Sequence, residues 1–171
     1  MRVFPETRLE PAPAASRGRQ TVLALLCAAA VTLLAPHPAG LAAEEEKPYR
    51  VASDGVVDWY TFSGFRRYHA DCHVCHGPDG LGSSFGPPLT ESMKTMDYDD
   101  FADVVINGRK AVGTAQQSVM PGFGANRNVA CFIDDIYAYL KARADGALGR
   151  GRPKKEAKPS EATERDNDCL G

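Results

Sequence analysis

Cys72-His73-Val74-Cys75-His76 places two thiols three positions apart and an imidazole directly after the second. This is C-x-x-C-H, the attachment signature of c-type haem. Thiols at this spacing reach the two vinyl groups on one side of a porphyrin. The histidine after them is then held beneath the iron as the proximal ligand. Two other chemistries use similar residues. A zinc site would need a second ligand pair, and Cys131 with Cys169 is poorly spaced to supply one. A redox-active dithiol belongs in a thioredoxin-like pattern containing strands, and no such pattern is visible. The expected cofactor is one covalently attached haem c, bound by Cys72, Cys75 and His76.

Iron held in this way takes a second axial ligand from elsewhere in the chain. The candidates are Met93, Met96, Met120, His69 and His73. Met120 opens Met-Pro-Gly-Phe-Gly, expected as a loop ahead of the last helix, where the proline stiffens the backbone and removes a donor. A thioether stabilises Fe(II) relative to an imidazole and raises the potential, which suits an electron acceptor. Met93 and Met96 read as packing residues, and His73 as a surface residue. His76 and Met120 are therefore the expected metal ligands. The ring N–H of a ligating histidine needs an acceptor. The carbonyl of Pro87, in Gly86-Pro87-Pro88-Leu89, is the one expected. Arg109 is expected to meet the haem propionates, its rival reading being a solvated cation.

Three helices would position these groups. The first spans about 58–71, with Trp59, Phe62, Phe65 and Tyr68 spaced along one face. The second spans about 97–107, opened by Asp97, Asp99 and Asp100 and closed by Gly108. The third spans about 128–144, with Asn128 as N-cap and Val129, Phe132, Ile133, Ile136 and Leu140 as its apolar stripe. No alternating strand pattern appears. Aromatic residues make up 8% of the 171, which is thin for a small core unless a large apolar cofactor fills it. The 43% hydrophobic content excludes wholesale disorder. A net charge of −2 argues against binding nucleic acid by phosphate neutralisation.

The ends carry separate signals. Residues 1–43 read as a signal peptide: Arg2, Arg8, Arg17 and Arg19, an apolar run from Thr21 to Ala35, then Leu41-Ala42-Ala43. The run is shorter than the ~20 residues of a membrane span, so an uncleaved anchor is the rival reading, and Cys27 would be discarded. Residues 44–57 form a lead-in, 58–146 the folded domain and 147–171 a polar tail, including Gly149-Arg150-Gly151-Arg152-Pro153, not expected to pack on its own. In an exported chain the remaining thiols Cys131 and Cys169 are expected to pair and tether the tail. The rival is a buried free Cys131 and a frayed Cys169.

Taken together, these residues resemble class I cytochromes c. Gly64-x-x-x-Tyr68 resembles the helix-crossing pair of that family, whose small residue lets the last helix cross close over the first, near Ile136 and Tyr139. Gly86-Pro87-Pro88-Leu89 and Met120-Pro121 match its two ligand loops. The resemblance implies an all-α fold with three main helices and long loops around one covalent haem, here with an extended C-terminal tail. A narrower resemblance is to four-cysteine cytochromes c associated with methanol metabolism. It rests on Arg66-Arg67-Tyr68-His69-Ala70, Val104-Val105-Ile106-Asn107-Gly108-Arg109, Val119-Met120-Pro121, the Gly149–Pro153 motif, Cys131 and Cys169. It implies an electron-transfer protein rather than an enzyme. Such a protein would be periplasmic, with a quinoprotein (PQQ) alcohol or methanol dehydrogenase as donor and an oxidase or another cytochrome as acceptor. Nucleic acid is not an expected partner, and no stable membrane insertion is expected after signal cleavage. The alternatives are a haem-based ligand-binding or peroxidase-like protein and a permanent cytochrome subunit of a dehydrogenase complex.

Overall fold

The computed structural model describes residues 46–112 and 117–171; the expected signal segment 1–43, with Cys27, lies outside them. Asp58 starts the helical frame. Its carboxylate accepts from the amides of Tyr60 (2.9 Å) and Thr61 (3.0 Å) and from the Thr61 hydroxyl (2.6 Å), satisfying donors that a helix start leaves orphaned. Helix α1 (Trp59–Arg67) runs into a π-type turn over Tyr68–Cys72 and resumes as α2 (His73–His76). Such turns are uncommon and gather at functional sites. This one carries Asp71 and Cys72. Short α3 (Leu89–Ser92) precedes α4 (Tyr98–Asn107), which Asp97 caps and Gly108, at φ 79°, closes.

The third expected helix is two helices, α5 (Arg127–Ala130) and α6 (Ile133–Ala144). The expected cap is also displaced. Asn126, not Asn128, caps α5, accepting from the Asn128 amide at 3.0 Å. The Asn128 side chain is committed to Asp71 and Arg67 instead.

Helices α1 and α6 cross at the centre of the fold. Gly64 sits at the contact: a Cβ there would land on the Asp135 carbonyl and 2.9 Å from the Tyr139 Cβ. Phe62, Tyr68, Phe132, Ile136, Tyr139 and Leu140 are each at most 1% exposed, so the core is built around this crossing.

Among the described residues, four short strands are present that period-two reading does not reveal. β1 (Val56–Val57) pairs in parallel with β4 (Lys154–Lys155), and β2 (Arg109–Val112) pairs antiparallel with β3 (Gln117–Met120). Two to four residues are too few for alternation to register, and such ladders follow from tertiary context. Met120 accordingly ends a strand rather than lying in a loop, with Arg109 opposite it in register.

The polar tail, not expected to pack on its own, is tied back to the domain and carries a strand and a helix that its composition does not signal. It lies on the domain and ends in helix α7 (Ser160–Leu170). Leu148 and Ala162 are its buried apolar side chains, and cations make many of its other contacts. Lys155 Nζ lies 4.9 Å from the Trp59 ring centroid and the Arg152 guanidinium 5.2 Å from that of Phe62, within cation–π range. Arg165 forks onto the buried Asp135 at 2.8 and 2.6 Å. Asp79, with left-handed φ 58°, accepts from the Gly151 amide (3.1 Å) and from Arg150 Nε (3.4 Å). A count of apolar residues misses contacts of this kind.

A disulfide joins Cys131 to Cys169, with Cα atoms 6.1 Å apart across a separation of 38 residues. Closing such a loop contributes about 3–4 kcal/mol on the chain-entropy model. Replacing both cysteines by serine is expected to lower the melting temperature by roughly 10 °C while leaving the visible spectrum unchanged. Equal melting temperatures for the two proteins in calorimetry would disprove this.

Candidate haem site

The helical stretch from Asp71 to His76, the Gly86-Pro87 loop, α3, α4, α6 and the end of β3 enclose an apolar cavity of about 510 Å³, within the size range of cofactor sites. Cys72, Cys75, His76, Pro87, Arg109 and Met120 all lie on its wall. His69 and His73 do not. His69 Nδ1 is 2.9 Å from the Phe65 carbonyl and its Nε2 is 3.8 Å from Asp79; His73 is exposed and stacks on His69. Met93 and Met96 line the cavity as well, and Met93 is fully buried. Packing residue and cavity residue are one role here, because the cavity is the interior of the fold.

The ring of His76 is oriented by its surroundings. Its Nδ1 lies 3.0 Å from the Pro87 carbonyl. A carbonyl can only accept, so Nδ1 carries the proton and Nε2 keeps the lone pair that a metal requires. Gly86 leaves room for this contact: a Cβ there would sit 3.0 Å from Nδ1 and 2.9 Å from the Cys75 carbonyl.

Cys72 and Cys75 are not joined to each other or to another cysteine in a disulfide. Burial pushes the Cys72 thiol up to about 12, with the Asp71 charge adding to the effect. A dithiol oxidoreductase needs the opposite shift. The zinc reading loses its second pair, because Cys131 and Cys169 are bonded to each other. Among the described residues no three His, Cys, Asp or Glu side chains are grouped to hold a bare ion. An apolar cavity with two thiols, one imidazole and a thioether on its wall does fit a thioether-linked haem.

Two features had no signal in the sequence. Val74, Phe85 and Val119 line the cavity yet are 70%, 77% and 64% exposed, which marks an apolar rim at its mouth. Asp71 is also on the wall, hydrogen-bonded to Asn126 and Asn128, which lie 55 and 57 residues away. No local spacing rule links residues so distant.

The chain is similar to known proteins. Residues 62–140 match the family described as cytochrome c oxidase, cbb3-type, subunit III. The chain is 54% identical over 129 residues to cytochrome c-553I of Paracoccus denitrificans, covering 75% of this chain and 57% of that protein. It thus spans little more than half the length of that relative. It is 42% identical over 105 residues to cytochrome c-555 of Methylococcus capsulatus, covering 61% of this chain and 79% of that protein. The crystal structure of the c-type cytochrome XoxG from Methylobacterium extorquens AM1 matches with a TM-score of 0.61 at 44% identity, covering 75% of this chain and 85% of that one. With its helical fold, its C-x-x-C-H cavity and these relatives, the chain belongs to the c-type cytochromes, electron-transfer proteins that carry covalently attached haem c.

Proposed function

We propose that the protein is a periplasmic monohaem carrier. It takes single electrons from a PQQ-dependent alcohol dehydrogenase, methanol dehydrogenase foremost, and passes them toward a terminal oxidase or another cytochrome. The observation that carries the proposal is the meeting of Cys72, Cys75, His76 and Met120 on one apolar cavity. Cys72 and Cys75 would hold the haem through thioether bonds, and His76 Nε2 and the Met120 sulfur would be the axial ligands. When bound, the haem supplies a one-electron Fe(II)/Fe(III) couple. The chain's own residues tune and protect it. Pro87 fixes the His76 tautomer, the Met120 thioether favours the reduced state, the apolar wall excludes water, and Arg109 offers its guanidinium to the propionates. The exposed rim of Val74, Phe85 and Val119 provides a small contact of the kind brief electron-transfer encounters use.

The quinoprotein donor is supported by the four-cysteine pattern of the sequence and by the likeness to cytochromes c-553I and c-555 and to XoxG. The periplasmic location is supported by the export signal read in residues 1–43. The test is to mix the purified, oxidised holoprotein with a quinoprotein methanol dehydrogenase and follow its spectrum, with and without methanol. Methanol-dependent reduction to a low-spin spectrum unmoved by carbon monoxide is expected. A high-spin ferric form, or rapid carbon monoxide binding, would replace the carrier by a ligand-binding protein. Reduction by other donors only would remove the alcohol dehydrogenase from the proposal.

A further inference from the structure

We infer that Asp71 is a positioning residue for Met120: its carboxylate clamps the segment that presents the methionine to the helical stretch that bears the haem-binding thiols. This rests on the assignment of Met120 as iron ligand proposed above.

Met120 ends β3, and the chain continues through Pro121–Gly124 to Asn126. On one side α4 and its extension hold this segment. Arg109 pairs with Met120, the Phe123 amide donates to the Val105 carbonyl at 2.8 Å, and the Gly124 amide donates to that of Ile106 at 3.1 Å. On the other side Asn126 Nδ2 donates to one Asp71 oxygen at 2.9 Å, and Asn128 Nδ2 donates to the other. Asn128 Oδ1 in turn accepts from Nη1 of Arg67, one turn earlier on the same helical stretch. Arg67 is 9% exposed and lies 3.7 Å from the Phe132 ring centroid, so the clamp is anchored in the core.

Capping of α5 does not account for this arrangement. The Asn126 side-chain oxygen makes the cap, accepting from the Asn128 amide. Its amide nitrogen is left for Asp71. Both carboxylate oxygens are engaged by neutral amides, and hydrogen bonds to an ionised acceptor are stronger than neutral ones. Asp71 directly precedes Cys72 and itself lines the cavity. One carboxylate therefore sets the distance between the thiol anchor and the methionine segment. An amide at position 71 has one acceptor where two are needed, and would turn its own N–H group toward an asparagine N–H.

The test uses holocytochromes carrying Asp71→Asn, Asp71→Ala, Asn126→Ala or Asn128→Ala. Each is expected to lose part of the methionine–iron charge-transfer band, and the reduced protein to bind carbon monoxide about tenfold faster. Backbone amides of 119–128 are expected to exchange with deuterium about tenfold faster. Asp71→Asn combined with Asn128→Asp is expected to restore all three readouts, because the new carboxylate faces both the new amide and Arg67. Bands, carbon monoxide kinetics and exchange that match the unsubstituted protein in the single variants would overturn the inference. So would single-variant losses that the double substitution leaves unrepaired. Met120→Ala separates the two readings: a charge-transfer band that survives it removes Met120 as ligand, while the exchange of 119–128 still reports the clamp.

Discussion

Met120→Ala is expected to leave a holoprotein whose reduction potential is lower by on the order of 0.2 V, a share of the roughly 0.8 V over which axial ligands set haem potentials. On the proposed ligation, loss of the thioether would remove the ligand that favours Fe(II), and the position it vacates would admit water or added ligands. The methionine–iron charge-transfer band should vanish, and the reduced protein should bind carbon monoxide within the mixing time. The prediction is exposed to a specific alternative, because Met93 and Met96 share the cavity wall with Met120. Either could hold the sixth position in its place. Met93→Ala and Met96→Ala are expected to keep the band and the potential, although Met93→Ala, at a fully buried site, should cost about 2–5 kcal/mol of stability. A band lost in one of these two variants and kept in Met120→Ala would transfer the ligand role to that methionine.

The parts of the site legible in the sequence are those fixed by local spacing. Cys72, Cys75 and His76 lie within one helical stretch, so a five-residue motif specifies their mutual placement. The Pro87 acceptor is eleven residues from His76, close enough for one loop to fix it. Asp58, Asp97 and Gly108 act locally as caps and stops, and the helices they bound lie close to where their patterns put them. The helices, their crossing at Gly64 and the cavity they enclose make the fold helical, with only short strands added. What sequence reading missed depends on contacts distant in the chain. The β1–β4 pair joins residues about a hundred positions apart, and its strands are two residues long. Asn128 is a good cap by composition, but Asp71 and Arg67 compete for its side chain and Asn126 takes the role. The tail looks unable to pack because it has few apolar residues beyond the buried Leu148 and Ala162, and much of its contact with the domain is cationic. The faces of Trp59 and Phe62 accept those cations, and Asp79 and Asp135 hold Arg150 and Arg165.

Gly64→Ala is expected to destabilise the holoprotein by about 3 kcal/mol, near the upper end for overpacking, and to lower its melting temperature by roughly 10 °C. By helix propensity alone alanine would gain about 1 kcal/mol over glycine inside α1, so the prediction has the opposite sign to the local expectation. The added Cβ would meet the Asp135 carbonyl, which is backbone and cannot rotate away. Relief would need α6 to move off α1, and both helices are held. Cys131, two residues before α6, is bonded to Cys169, and the Asp135 carboxylate is forked by Arg165 of α7. On the other helix, α1 leads through the π-type turn directly into the thiols. Separation of the crossing would therefore strain the tail contacts and the cavity together, so the melting loss should come with a weakened methionine–iron band. Gly64→Val, larger still, is expected to yield almost no holoprotein. A Gly64→Ala protein that melts within a degree or two of the unsubstituted one, with its band intact, would show that the crossing can open without cost and that the close approach at Gly64 does not hold the site together.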